Sequence, residues 1–185
     1  MLEEIIVAGF GGQGIMSMGQ LIAYAGMIEG KGVSWIPSYG PEQRGGTANC
    51  AVVVSVEPVG SPLVTTPSTA FVLNNPSFDK FEPRVRPDGL LIINSSLVVR
   101  VSERKDIHII ELPASDMAND LGNSRVANMI LLGAYLEYTK IVSIDSVLES
   151  LKKVLSTDKH HLLEINKQAL IRGASCLPLQ LHESI

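Results

Sequence analysis

Short apolar runs alternate with segments of helical periodicity along the first two thirds of the chain. Residues 5–8 form a β-branched run that ends in glycines, which predicts a buried parallel strand. Residues 15–29 carry apolar side chains at helical spacing, and Gly30 follows where a helix would end. A second strand is predicted over residues 33–36. This strand–loop–helix–strand opening is typical of an α/β fold.

The remaining pattern predicts more strands and then only helices. The strands fall at 47–56, 71–73, 90–93 and 107–110, and the helices at 76–81, 114–121, 126–138, 144–155 and 162–174. Ser124 and Ser143 are the predicted N-caps of two of these helices. We therefore expect a Rossmann-like three-layer sandwich with a mostly parallel sheet and a helical C-terminal part. One domain is expected over residues 1–175, followed by a tail over 176–185.

The composition narrows the classes of partner. Of the 185 residues 45% are hydrophobic and only 18% are charged, against about 25% charged in average proteins. Two interpretations stay open, a large aliphatic sheet core or an aliphatic surface that a partner covers. The net charge of -4 and the lack of a dense basic run argue against nucleic acid.

The two cysteines and the first residues indicate the compartment. Cys50 and Cys176 are too few to ligate an iron–sulfur cluster, which usually takes four thiolates, and they form no disulfide framework. Cys50 lies in an apolar strand pattern and is interpreted as a small buried hydrophobe. The acidic start lacks the features of a signal peptide, and no stretch of about 20 apolar residues is present. A soluble cytoplasmic protein is expected.

The first glycine-rich loop, Gly9-Phe10-Gly11-Gly12-Gln13-Gly14, lies between a predicted strand and a predicted helix. In a G-x-G-x-x-G loop the first glycine allows a tight turn, the second lets the backbone approach a ligand, and the third permits close packing. The free N–H groups at the helix start can receive a phosphate. Three interpretations stay open. The glycines serve only the turn and the packing of helix on strand, the loop binds a dinucleotide, or the loop lies at a subunit interface or beside a phosphate-bearing ligand.

The residues after the second strand weaken the dinucleotide interpretation. A dinucleotide site needs an acidic residue there to bind the ribose, but residues 36–39 contain none. Arg44 lies too far along the chain to serve as an NADP-type arginine. Gln13 is expected to be exposed at the loop tip, where it can donate and accept hydrogen bonds.

A second glycine-rich loop, Ser38-Tyr39-Gly40-Pro41-Glu42-Gln43-Arg44-Gly45-Gly46, follows the second strand. Loops that follow neighbouring parallel strands emerge at the same edge of a sheet, so we expect the two loops to lie together. Arg44 can bind a phosphate or carboxylate, or pair with an acid of a partner. For Glu42 an ion pair or partner contact is favoured over acid–base catalysis.

The two loops at this spacing, together with Leu90-Leu91-Ile92-Ile93-Asn94-Ser95-Ser96, resemble the gamma subunit of 2-oxoacid:ferredoxin oxidoreductases. The resemblance extends over most of the chain, to about residue 175. The form of the second loop is more similar to the 2-oxoglutarate or branched-chain group than to the indolepyruvate group. The residues expected to bind a cofactor or to lie at a subunit interface are Gly9, Gly11, Gly12, Gln13, Gly14, Tyr39, Gly40, Glu42, Arg44, Gly45 and Gly46.

The resemblance implies a complex that oxidatively decarboxylates a 2-oxoacid, such as 2-oxoglutarate, a branched-chain acid or pyruvate, to an acyl-CoA and reduces ferredoxin. Alpha and beta subunits would bind thiamine diphosphate and magnesium, and a ferredoxin-like delta subunit would carry iron–sulfur clusters. This chain has no Gly-Asp-Gly motif and no Cys-x-x-Cys cluster, so it is expected to bind none of these alone and to be inactive in isolation. Coenzyme A is a possible contact.

Two alternatives remain, a stand-alone Rossmann-type nucleotide-binding protein and a divergent relative in an aldehyde-forming or indolepyruvate-type complex. No catalytic residue and no metal ligand is predicted. His108 is expected at the surface or in a hydrogen bond, and the adjacent His160 and His161 point too far apart to chelate one metal. Asn128, on an apolar helix, is either a buried polar group with a partner or an interface contact.

Overall fold

The computed structural model describes residues 1–39 and 47–177. Every strand and helix that the pattern predicts is present, with ends that differ by a few residues. The strands are β1 (Leu2–Phe10), β2 (Gly32–Tyr39), β3 (Thr47–Ser55), β4 (Thr69–Val72), β5 (Leu90–Asn94) and β6 (His108–Leu112). The helices are α1 (Ile15–Ile28), α2 (Asn75–Phe81), α3 (Ala114–Asp120), α4 (Ala127–Thr139), α5 (Ile144–Val154) and α6 (Leu163–Ala174).

The six strands form one sheet in the order β2-β3-β1-β4-β5-β6. The pairings β1–β4, β4–β5 and β5–β6 are parallel, whereas β3 is antiparallel to both β1 and β2. The sheet is therefore mostly parallel, as predicted. The antiparallel part arises because only seven residues, 40–46, join β2 to β3, and a parallel pairing would need a much longer crossover.

Helices cover the sheet unequally on its two faces. Alternate residues of β1 point to opposite cores: Ile5 and Val7 join the larger one, and Ile6 and Ala8 the smaller. The larger core lies under α1, α3, α4, α5 and α6, and the smaller one under α2. This arrangement confirms the α/β three-layer sandwich with a helical C-terminal part. Among the described residues, no helix reaches the length and apolar character that crossing a membrane requires.

α4 and α6 pack with their backbones in close contact. A β-carbon added to Gly133 would collide with the carbonyl oxygen of Leu170, and one added to Gly173 would collide with that of Ile130. Glycine permits this approach because it has no side chain. The contact holds α6 against α4, whose residues 128–136 are all buried.

One of the two predicted N-caps is confirmed and the other is wrong. The Ser143 hydroxyl accepts a hydrogen bond from the backbone N–H of Ser146 at 3.1 Å and caps α5. At the other position Asn123, not Ser124, is the cap, because its side chain accepts from the N–H of Arg125 at 3.0 Å. A 3-10 turn over Ser124–Val126 therefore precedes α4.

Candidate functional site

The glycine-rich loop connects the end of β1 to the start of α1. Gly9 is buried, and a side chain there would lie 2.8 Å from Cδ1 of Ile15 and 3.1 Å from Cβ of Leu73. Gly12 and Gly14 have φ values of +92° and +76°, which other residues rarely adopt. In the described part of the chain, no atom lies within 4 Å of a β-carbon added at Gly11 or Gly12. The middle of the loop therefore presents bare backbone, while its two ends are packed.

Gln13 does not project freely from the loop tip, contrary to the expectation from the sequence. Its Oε1 accepts a hydrogen bond from the backbone N–H of Phe10 at 2.6 Å. Its Nε2 donates to the carbonyl oxygen of Leu73 at 3.2 Å. Both ends of the amide are thus used within the chain, so Gln13 fixes the loop against the end of β4.

The second loop begins and ends at the same edge of the sheet as the first, as predicted. The prediction assumed that β1 and β2 are neighbouring parallel strands, and this assumption was wrong. β1 and β2 are not neighbours, because β3 lies between them; Phe10 is opposite Thr47, and Tyr39 is opposite Ala48. Two strand spacings, roughly 10 Å, separate the ends of β1 and β2.

Most of the second loop's predicted site residues fall outside the part of the chain that the structure describes. These are Gly40, Glu42, Arg44, Gly45 and Gly46, together with the side chain of Tyr39.

A cavity of about 410 Å³ opens beside the start of α1. Its walls combine apolar side chains from α4, α5 and the following segment with a polar rim. The polar side chains are Ser17, Asn123, Arg125, Asn128, Lys159 and Asn166, and Gly12 and Gly14 contribute backbone. Among the described residues two cations and no carboxylate line the cavity, so it suits an anionic ligand with an apolar portion.

The local electrostatics favour an anion at this position. The first N–H groups of α1 have no acceptor within the helix. The first turn contains no acidic residue, and no side chain of residues 1–39 or 47–177 caps the helix. Arg125 and Lys159 form no ion pair with the residues at 1–39 and 47–177. The helix start and the two cations therefore add their positive potential at the cavity, and the carboxylate of Asp158, next to Lys159, offsets only part of it.

Arg125 also lines a second cavity, of about 230 Å³, on the other side of Gly12. There Asn94, which is 1% exposed, donates from Nδ2 to the Ser115 hydroxyl at 2.9 Å. Sequence reasoning missed Arg125 and Lys159 because they lie more than a hundred residues after the glycine loop. Only the packing of α4 and α5 against α1 brings them to the site, and no local motif marks them.

The other cavities and the histidines give less support for a ligand or metal site. A cavity of about 450 Å³ at the opposite ends of the strands is lined by Glu4 and Glu57 and, within residues 1–39 and 47–177, by no lysine or arginine, which disfavours an anion there. His108 is exposed, as predicted, with its ring 6.1 Å from that of Tyr138. No cluster of three or more potential metal ligands occurs within the described part of the chain.

The fold and this site define an α/β domain whose glycine-rich loop and two cations, Arg125 and Lys159, line one cavity. The family model for pyruvate ferredoxin/flavodoxin oxidoreductase matches residues 4–176. The chain therefore belongs to the pyruvate ferredoxin/flavodoxin oxidoreductase family, which confirms the resemblance carried by its two loops.

Named relatives and solved structures agree with this assignment. The ketoisovalerate oxidoreductase subunit VorA of Methanothermobacter marburgensis is 39% identical over 92% of this chain, but the match spans only 36% of VorA. The 2-oxoglutarate synthase subunit KorC of Methanocaldococcus jannaschii is 32% identical over 90% of this chain and 92% of its own. A keto/oxoacid ferredoxin oxidoreductase gamma subunit from Geobacter sulfurreducens superposes with a TM-score of 0.80 at 26% identity, over 94% of this chain and 96% of its own.

A further solved structure shares the fold. The 2-oxoglutarate:ferredoxin oxidoreductase from Magnetococcus marinus, solved with 2-oxoglutarate, coenzyme A and succinyl-CoA bound, superposes with a TM-score of 0.86. Its sequence is 24% identical, and the match covers 96% of this chain and 32% of that one. This chain thus corresponds to nearly all of some relatives and to about a third of others.

Proposed function

We propose that this chain is the gamma subunit of a cytoplasmic 2-oxoacid:ferredoxin oxidoreductase that converts a 2-oxoacid to an acyl-CoA. The names of the relatives support this proposal, and the cation-lined cavity at the start of α1 carries it. In this proposal alpha and beta subunits hold thiamine diphosphate and magnesium, a delta subunit holds iron–sulfur clusters, and ferredoxin accepts the electrons. The isolated chain is then inactive.

The proposed role of the cavity is to bind a phosphate of coenzyme A. Coenzyme A carries phosphates and a long, largely neutral arm, and the cavity offers two cations, free helix N–H groups and apolar walls. Phosphate is well bound by guanidinium and ammonium groups and by helix N-termini. Arg125 and Lys159 are therefore proposed as phosphate contacts, with Arg44 of the second loop as a further candidate.

The proposed substrate is 2-oxoglutarate or a branched-chain 2-oxoacid. The second loop is more similar to that group, and the VorA and KorC relatives carry names of that kind. A pyruvate synthase subunit, PorC of Methanothermobacter marburgensis, is 29% identical over 81% of this chain, so pyruvate stays a candidate. Turnover of the three acids by the assembled complex distinguishes them.

The coenzyme A contact is tested in the assembled complex with Arg125→Ala and Arg44→Ala. Loss of a charge-assisted hydrogen bond of about 1.5–3 kcal/mol should raise the KM for coenzyme A roughly ten- to hundredfold. The turnover number at saturating coenzyme A and the KM for the 2-oxoacid should stay unchanged. Arg86→Ala, at another exposed arginine, is the matched control. If the KM for coenzyme A were unchanged in both Arg44→Ala and Arg125→Ala, the proposed coenzyme A contact would be contradicted.

The alternative of a stand-alone dinucleotide-binding protein has less support. In a dinucleotide-binding domain the strand after the first helix lies beside the first strand and brings an acid to the ribose. Here β3 occupies that place, and β2 is displaced to the edge of the sheet. Calorimetry of the purified chain with NAD and NADP should detect no binding, whereas micromolar affinity for either would favour the alternative.

A further inference from the structure

The face of the sheet that carries α2 is only partly covered at β2 and β3. The buried strand residues of the smaller core belong to β1, β4 and β5, whereas β3 contributes only the half-buried Ala51. In the register of the two strands Ile36 of β2 lies opposite Ala51, and Ser38 lies opposite Asn49. These four residues line one cavity of about 180 Å³. This face therefore presents one apolar and one polar cross-strand pair at the margin of the smaller core.

Two cations border this face. Lys80 of α2 and Arg84 of the turn that follows α2 line the same cavity. Both lie against the Phe81 ring, with Lys80 Nζ at 5.0 Å and the Arg84 guanidinium carbon at 5.8 Å from its centroid. Contact with the ring leaves their N–H groups free to donate hydrogen bonds. Neither cation forms an ion pair with another described residue, so their charge is available to a partner.

The acids next to these cations in the chain are engaged with other residues. Asp79 pairs with Arg100 at 3.1 Å, and the Glu82 carboxylate accepts a hydrogen bond from the Ser102 hydroxyl. No carboxylate of the described residues lines the cavity. On a chain whose net charge is -4, this leaves a local excess of positive charge. Because interacting protein surfaces carry complementary charge, this face favours an acidic partner.

The size and the apolar rim of the cavity indicate what kind of acidic partner fits. Sites for cofactors and other small molecules usually hold about 300–1,000 Å³, well above the 180 Å³ found here. A space of this size suits one or two side chains of a protein. At its rim Leu63 is 70% exposed and Ile36 is 36% exposed, and both offer a contact to an aliphatic side chain. The features together match a protein segment that carries carboxylates beside an aliphatic residue.

We propose that this surface binds an acidic segment of another subunit, an inference that rests on the proposed function for the identity of the complex. The carboxylates of the segment pair with Lys80 and Arg84, its backbone bonds to Asn49, and its aliphatic side chain packs against Ile36 and Leu63. In VorA and in the Magnetococcus marinus enzyme the matching region is about a third of one longer chain. Its neighbours there include segments of different sequence, which favours another subunit over a second copy of this chain.

The test is carbodiimide cross-linking of the complex purified from native cells, since this reagent joins an amine to a carboxylate in direct contact with it. Mass spectrometry should find Lys80 joined to an Asp or Glu of a different subunit, next to an aliphatic residue. Lys80→Arg is the matched control: it keeps the charge and the assembly but loses the reactive amine and therefore the link. A complex without the Lys80 link, a link from Lys80 to a second copy of this chain, or a chain that purifies alone would overturn the proposal.

Charge reversal measures what the two cations contribute to assembly. Lys80→Glu combined with Arg84→Glu should weaken binding to the other subunits roughly tenfold or more and make it less sensitive to salt. Lys167→Glu combined with Arg172→Glu is the matched control, at exposed positions of α6 on the other face of the sheet, and should assemble like the wild type. Circular dichroism verifies that both double variants fold. Equal affinities of the two double variants would overturn the proposal.

Two further outcomes separate this inference from its rivals. Calorimetry of the chain with inorganic phosphate should detect no binding that depends on Lys80 and Arg84. Micromolar binding that their charge reversal abolishes would assign the surface to a small anion and overturn the proposal. A complex that carries the Lys80 link but oxidises no 2-oxoacid would refute the proposed function and leave the surface assigned. An active complex without the link would refute this inference alone.

Discussion

Asn128 donates a hydrogen bond from its Nδ2 to the carbonyl oxygen of Gly14 at 3.2 Å, and so ties the start of α4 to the start of α1. Its Oδ1 accepts from the backbone N–H of Met129 at 3.0 Å. Asn128 is only 6% exposed, which makes it a buried polar group with partners of its own. A β-carbon added to Gly14 would collide with this same amide.

We predict that Gly14→Ala destabilises the chain by about 2–4 kcal/mol, because the added carbon meets Asn128 and φ is positive. The measurement is the free energy of unfolding in urea. Gly11→Ala is the matched control: none of the residues that the structure describes lies within 4 Å of its added carbon, so its effect should stay within about 0.5 kcal/mol. Equal effects of the two variants would contradict the packing argument.

We predict that Gln13→Ala lowers the free energy of unfolding by about 1–3 kcal/mol, because two hydrogen bonds are lost, to Phe10 and to Leu73. Gln13→Glu keeps the acceptor for Phe10 but places a carboxylate against the Leu73 carbonyl oxygen, and should be no more stable than Gln13→Ala. Urea titration measures both. Gln168→Ala, at an exposed glutamine of α6, should be nearly neutral. Wild-type stability of Gln13→Glu would show that the Leu73 contact is unimportant.

The strands and helices of this fold could be predicted well from the local sequence. The spacing of apolar residues and the glycines at the ends of elements are both local signals. The position of β3 between β1 and β2 was not predictable in the same way, since strand pairing depends on contacts between distant segments. The start of α1 was identified from Gly14 itself. Arg125 and Lys159, which complete the cavity, reach it only through helix packing.

A pH dependence follows from Glu29. Partial burial alone would raise the pKa of its carboxyl, but hydrogen bonds from Lys31 and from the backbone N–H of Ser143 lower the pKa to about 2. The charged form therefore stabilises the folded chain fully above pH 4.5, and this stabilisation is lost as the pH falls towards 2. The group lies near the surface, so we expect about 1 kcal/mol.

Unfolding of Glu29→Gln in urea at several pH values checks this expectation. The variant should be less stable than the wild type at pH 7, and the difference should shrink below pH 4.5. Glu149→Gln is the control, because the Glu149–Lys153 pair is more than half exposed and should contribute little. A difference that persists unchanged at pH 3 would contradict the role of the Glu29 charge.

The two cysteines should differ in reactivity. Burial raises the pKa of the Cys50 thiol to about 11, and Cys50 has no exposed surface. Cys176 is partly exposed near the end of α6. Because the thiolate is the reactive form, a thiol reagent at neutral pH should modify Cys176 and leave Cys50 unmodified until the chain unfolds. If the folded Cys176→Ser variant still took up one equivalent of the thiol reagent, the prediction would be refuted.

The close contact between α4 and α6 has a consequence for synthesis. The contact of Gly133 with the backbone of Leu170 can form only after Leu170 has been synthesised. The contact of Ile130 with Gly173 likewise requires Gly173. While the intervening residues emerge, α4, whose residues 128–136 are all buried in the complete fold, has one face without its cover. A nascent chain paused before α6 should therefore be the form most prone to aggregate or to bind a chaperone.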